Sequence, residues 1–123
     1  MSPDHPPMRI AEDPEGRLAV ATVTGDLNVG SAPAVYQLAL EAIHRWPHVI
    51  IDLSGVTFCD SSGFNALLRL RRRAQESGNR LSLAAPPTQV ARLLTLTGAG
   101  TVFPVYGTPA EARAERHDQD GGA

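Results

Sequence analysis

Val49-Ile50-Ile51-Asp52-Leu53-Ser54-Gly55-Val56-Thr57-Phe58-Cys59-Asp60-Ser61-Ser62-Gly63 is the stretch from which the rest of the chain can be read. Val49 to Leu53 is apolar at all but one position, which suits an interior parallel strand covered on both faces. Asp60-Ser61-Ser62-Gly63 then opens a helix, because Phe64, Leu67, Leu68, Leu70 and Ala74 follow at helical spacing. Two adjacent hydroxyls behind a carboxylate therefore stand at a strand-to-helix turn. A phosphate placed there would meet the positive end of a helix dipole and its unpaired N–H groups.

Upstream, Met8 to Glu12, a turn at Asp13-Pro14-Glu15-Gly16, and Leu18 to Thr24 read as a hairpin, with Gly25 ending its second strand. Ser31 is the expected N-cap of a first helix with Pro33 in its first turn. Val35, Leu38, Ala39 and Ala42 form its apolar face, and Pro47 stops it. Downstream, the second helix runs to Gly78. A strand over Leu81 to Ala85, a helix over Pro87 to Thr97, a last strand over Thr101 to Tyr106 and a closing helix over Pro109 to Arg116 follow. The order is ββαβαβαβα: a single α/β domain over residues 8–116, with a mainly parallel sheet, an antiparallel N-terminal hairpin strand and helices packed against it. Residues 1–7 and 117–123, rich in proline or in polar residues and glycine, read as disordered tails.

A chain of 123 residues with 42% hydrophobic content is large enough for one core and too small for two. The formal net charge of −2 and only six aromatic residues argue against nucleic acid, and no apolar run is long enough to span a bilayer. Cys59 is the sole cysteine, so no internal disulfide can form and the cytoplasm is the expected compartment.

Only one residue can be the N-cap of the second helix. Ser62, with Asn65 at the capping-box spacing, is the expected cap, which leaves the Ser61 hydroxyl for chemistry. Catalysis by Ser61 would need a base, yet the histidines are His5, His44, His48 and His117, none beside the turn in sequence, and the pattern is not that of a nucleophile elbow. Ser61 therefore reads as a substrate of another enzyme, and the chain as a non-enzyme.

From Gly25 to Ala112 the chain resembles the STAS domain of bacterial anti-sigma factor antagonists. The resemblance rests on Gly25-Asp26-Leu27, the strand end Asp52-Leu53, Phe58-Cys59-Asp60-Ser61-Ser62-Gly63, the Leu-rich helix, Leu96-Thr97-Gly98 and Val102-Phe103-Pro104-Val105-Tyr106, in family order. It implies that Ser61 is phosphorylated by an anti-sigma factor that is also an ATP-dependent serine kinase. The unphosphorylated form binds that factor and frees a sigma factor, and a phosphatase reverses the mark. Asn28, Asp60, Ser61, Ser62, Gly63 and Phe64 are the implied switch turn and partner-binding residues, with no cofactor and no metal. Family members often carry an Asp where this chain has Asn28, which keeps the hydrogen-bonding shape without the charge. Cys59 stands where an aliphatic residue is usual and reads as a small buried hydrophobe. The alternative within the same fold is a phosphorylation-independent docking subunit of a membrane lipid transporter ATPase.

The remaining motifs read as structure. Arg69, Arg72 and Arg73 form a solvated helix face, while Arg71 falls within the apolar stripe. His44 and His48 have the spacing of a helical zinc pair, but Pro47 breaks the helix that such a pair requires. Gly98-Ala99-Gly100 follows a helix and precedes a strand, the reverse of a dinucleotide fingerprint.

Overall fold

The computed structural model describes residues 7–101 and 103–114. The expected tails thus lie outside the described residues apart from Pro7, as do Val102 and the last two residues of the expected closing helix. Five strands form one sheet in the order β1-β2-β3-β4-β5. They are β1 (Met8–Glu12), β2 (Leu18–Leu27), β3 (His48–Cys59), β4 (Arg80–Ala84) and β5 (Val105–Tyr106). β1 is antiparallel to β2 and every other neighbouring pair is parallel. Helices α1 (Ala32–Arg45), α2 (Ser61–Glu76) and α3 (Thr88–Thr97) connect successive parallel strands, and residues 109–114 are helical after β5.

Strand alternation sorts the apolar residues onto two faces. Ala19, Ala21, Val23, Val49, Ile51, Leu53, Leu81 and Leu83 join Val35, Ala39 and Ile43 of α1, Leu67 and Leu70 of α2, and Val90 and Leu94 of α3 in the main core. Leu18, Val20, Ile50 and Ala84 form a smaller cluster on the opposite face, where Ala112 of the closing segment packs fully buried. His48 is buried as well, with Nε2 3.0 Å from the Ser82 hydroxyl on the neighbouring strand, while His44 is exposed on α1. No helix among the described residues is long and apolar enough to cross a membrane.

Three element boundaries differ from the sequence reading, each for a local reason. Gly25 does not end β2. With φ at +86° it sits at a register shift, and the strand continues to Leu27. β3 likewise runs past Leu53 to Cys59, because β2 goes on pairing with it through Leu27↔Cys59. Gly55 permits this: a Cβ there would lie 2.9 Å from Thr24 Cγ2. The last strand is short. Ala99–Thr101 is a 3-10 turn, and the Phe103 N–H donates to the Ala99 carbonyl at 2.9 Å, so only Val105 and Tyr106 remain to pair with Leu83 and Ala84.

Replacing the fully buried Leu70 by Ala should lower unfolding free energy by about 2–5 kcal/mol through lost transfer energy and a residual cavity. The matching change at Leu96, 75% exposed on α3, should shift it by no more than about 0.5 kcal/mol. Urea unfolding followed by far-UV circular dichroism measures both.

Candidate functional site at the start of the second helix

The N-cap of α2 is Asp60, with φ −95° and ψ −172°, and not Ser62. Its Oδ1 accepts the Gly63 N–H at 3.0 Å, and its carbonyl accepts the Phe64 N–H at 3.0 Å. The helix therefore begins two residues earlier than the Ser62–Asn65 spacing suggests. A carboxylate at this position adds a favourable interaction with the helix dipole that a hydroxyl lacks, which accounts for the preference. Ser61 becomes the first helical residue and is exposed. Ser62 is half-buried on the flank that faces α1.

The turn is held from β2. The Asp60 N–H donates to the Leu27 carbonyl at 3.1 Å, continuing the β2–β3 ladder by one bond. At Gly63 the backbones come so close that a Cβ would clash with that same carbonyl and lie 2.6 Å from Leu27 Cγ. Glycine is required there by contact rather than by dihedral angle. Phe64 points into the main core at 6% exposure. Gly63 and Phe64 thus support the turn from below, and Asp60 and Ser61 form its outer part.

Asn28 follows Leu27 directly. Its Oδ1 accepts the N–H groups of Gly30 at 2.9 Å and Ser31 at 3.2 Å. Ser31 is the N-cap of α1 by position, yet its hydroxyl donates to the Asp26 carbonyl at 2.7 Å and accepts the Asn28 N–H at 3.0 Å. The Asn28 side-chain carbonyl therefore performs the turn-closing work, a task for which an Asp carboxylate is equally suited.

Two features of the site have no clear sequence signal. Val29, on the β2–α1 loop, and Phe58, on β3 two residues before Asp60, are 72% and 47% exposed. An open groove is lined by Val29, Tyr36, Ser62, Asn65 and Arg69, between the N-terminal parts of α1 and α2. Arg69 does not belong to a purely solvated face, because its guanidinium lies 4.2 Å from the centroid of the Tyr36 ring. Its position seven residues after Ser62 is the one hint the helical wheel offers. Arg73 fits the solvated reading, with an exposed ion pair to Glu76 at 3.4 Å.

Behind the turn, Cys59 is 1% exposed and its thiol lies 3.5 Å from the Asp60 carbonyl. Burial, with a smaller contribution from the Asp60 charge, pushes the thiol up to about 11 from its ordinary 9.0. The thiolate needed for redox chemistry is thereby suppressed.

Asp60→Ala should destabilise the protein by about 1 kcal/mol, and Ser62→Ala by a few tenths at most, in paired urea titrations. Cys59 sets a pH dependence. Between roughly pH 9 and 11 the unfolded thiol ionises while the folded one keeps its proton, so the stability that burial contributes is complete below 9 and lost as pH rises through 11. Cys59→Ser should flatten that decline in melting temperature across the same range.

The chain as a whole is similar to several known proteins. The curated anti-sigma F factor antagonist of Paenibacillus polymyxa is 26% identical over 98 residues, covering 78% of this chain and 84% of that protein. The crystal structure of an anti-sigma factor antagonist from Mycobacterium paratuberculosis superposes with a TM-score of 0.80 at 25% identity, covering 93% of this chain and 96% of that one. SpoIIAA, an anti-sigma factor antagonist, matches in its unphosphorylated form with a TM-score of 0.74 at 20% identity, covering 90% and 96% of the two chains. Its phosphorylated form from Bacillus matches with a TM-score of 0.70 at 20% identity, covering 88% and 97%. The family model of the STAS domain matches residues 9–112, from β1 to the closing helical segment, and the chain belongs to that family.

Proposed function

We propose that this chain is an anti-sigma factor antagonist whose binding state is set by phosphorylation of Ser61. The observation that carries the reading is the division of labour at the turn: Asp60 caps α2, so the exposed Ser61 hydroxyl is not needed to hold the helix together. The names borne by the curated relative and the solved neighbours support the antagonist role. The partner is an anti-sigma factor with serine kinase activity, a phosphatase resets the mark, and the antagonist itself catalyses nothing. It works in the cytoplasm.

The unphosphorylated surface suits a protein partner. Val29 on the β2–α1 loop and Phe58 near the end of β3 offer exposed apolar area, and the groove that Val29 shares with Tyr36 and Arg69 adds a cation and an aromatic ring. Phosphate on Ser61 brings about −1.5 to −2 charges into that contact, next to the Asp60 carboxylate. The α2 dipole stabilises the modified serine in the free protein, whereas in the complex the same charge must be desolvated beside a like charge. Turning an interaction from nearly always formed to nearly always broken requires about 5.5 kcal/mol of differential affinity, and a desolvated dianion beside a carboxylate is of the right size to supply it.

The test is to incubate the purified protein with ATP and an extract of its source cells and to map phosphate by mass spectrometry, with Ser61→Ala as control. Phosphate on Ser61, absent from the control, is expected. In binding assays with the purified kinase so identified, Ser61→Ala should bind at least as tightly as wild type, and Ser61→Asp at least tenfold more weakly. An unmodified Ser61 in an extract that phosphorylates another substrate of this class would instead favour a phosphorylation-independent docking role.

A further inference from the structure

β4 stops pairing with β3 at Asp52↔Ala84, seven residues before β3 ends. The chain leaves β4 through Ala85, a non-glycine residue with φ +53°, and through Pro86 and Pro87 into α3. Gln89, in the first turn of α3, then returns to the end of β3. Its Oε1 accepts the Cys59 N–H at 3.0 Å, and its Nε2 donates to the Cys59 carbonyl at 2.9 Å. Those two bonds are the ones a neighbouring strand would make. Cys59 is therefore held on one flank by β2, through Leu27, and on the other by one carboxamide, two residues before Ser61.

We propose that Gln89 is the positioning residue of the Ser61 turn, so that α3 governs how Ser61 is presented to the kinase. The inference deepens the phosphorylation reading and rests on it for its kinetic consequence, while its structural half stands independently. Gln89 is exposed and contributes nothing to the core, so its side chain acts through Cys59 alone. Gln89→Ala removes both bonds. Gln89→Glu keeps an acceptor for the Cys59 N–H but sets a carboxylate oxygen against the Cys59 carbonyl, acceptor against acceptor, until the acid is protonated below about pH 4.3.

Hydrogen exchange of residues 57–64 read by NMR, together with phosphorylation rates at varied substrate concentration in the ATP-supplemented extract, tests both halves. Arg92→Ala, on the same helix and exposed, serves as control. In Gln89→Ala and Gln89→Glu, local exchange at Cys59 and the turn should rise about tenfold, as expected when the part-buried pair of hydrogen bonds is broken or set acceptor against acceptor. Exchange in β2 and α1 should stay as in wild type, and the Gln89→Glu excess should disappear, relative to intrinsic rates, below pH 4. The maximal phosphorylation rate at Ser61 should fall severalfold with little change in apparent KM, because Val29, Tyr36 and Arg69 of the docking surface lie outside the segment that loosens. Unchanged exchange at 57–64 in both variants overturns the proposal, and so does local opening that leaves the maximal rate at the wild-type value. Wild-type protein that acquires no phosphate refutes the kinase reading and the kinetic half with it, and the exchange data then still decide whether Gln89 holds the turn.

Discussion

The approach of Gly63 to Leu27 is the contact on which the site depends. A single carbonyl at the end of β2 accepts the Asp60 N–H and lies against the Gly63 α-carbon, which fixes both the exit of β3 and the entry of α2. Any side chain at Gly63 would push the helix away from the sheet. The helix axis would then no longer aim its first turn over the end of β2, and Phe64, Leu67 and Leu70 would lose their register with the core. The fold and the site are in this sense a single constraint. The turn that exposes Ser61 is the turn that seats α2.

The capping arrangement leaves the exposed Ser61 at the helix start without a part in holding that start together. Serine is a common N-cap, and modifying a serine that caps replaces the acceptor on which the first turn depends. Here the carboxylate of Asp60 is that acceptor, and Asn28 closes the adjoining loop by accepting from Gly30 and Ser31. Both loops around Ser61 are thus closed by neighbours, so addition or removal of a group at its hydroxyl leaves the backbone scaffold intact. The buried Cys59 behind it, with its thiol held protonated, adds volume without reactivity.

Much of this was legible in the residues. The apolar run Val49 to Leu53 and the helical spacing from Phe64 to Ala74 are strong periodic signals for the buried first half of β3 and the body of α2, whereas the extension of β3 to Cys59 depends on its pairing with β2 and carries no such signal. Gly25 was misleading because a glycine that ends a strand and one that bulges it look alike until the partner strand is known. The cap was misplaced from Asp60 to Ser62 because both residue types cap well and the Asn65 spacing favoured the wrong one. Gln89 carries no local signal at all. A glutamine in the first turn of a helix is unremarkable, and its role arises only from where Ala85 and the two prolines send the chain.

The same carboxamide bears on how the protein behaves in a crowded solution. A strand whose neighbour ends early presents unpaired amides, and such edges recruit strands from other molecules and seed aggregation. β3 continues beyond β4 into an apolar, β-prone sequence, Val56 to Cys59, with Phe58 exposed on it. With the Cys59 N–H and carbonyl both engaged by Gln89, an incoming strand meets a closed end at the point nearest Ser61. The surface can then be apolar enough to bind a partner and still resist adding strand after strand of its own kind.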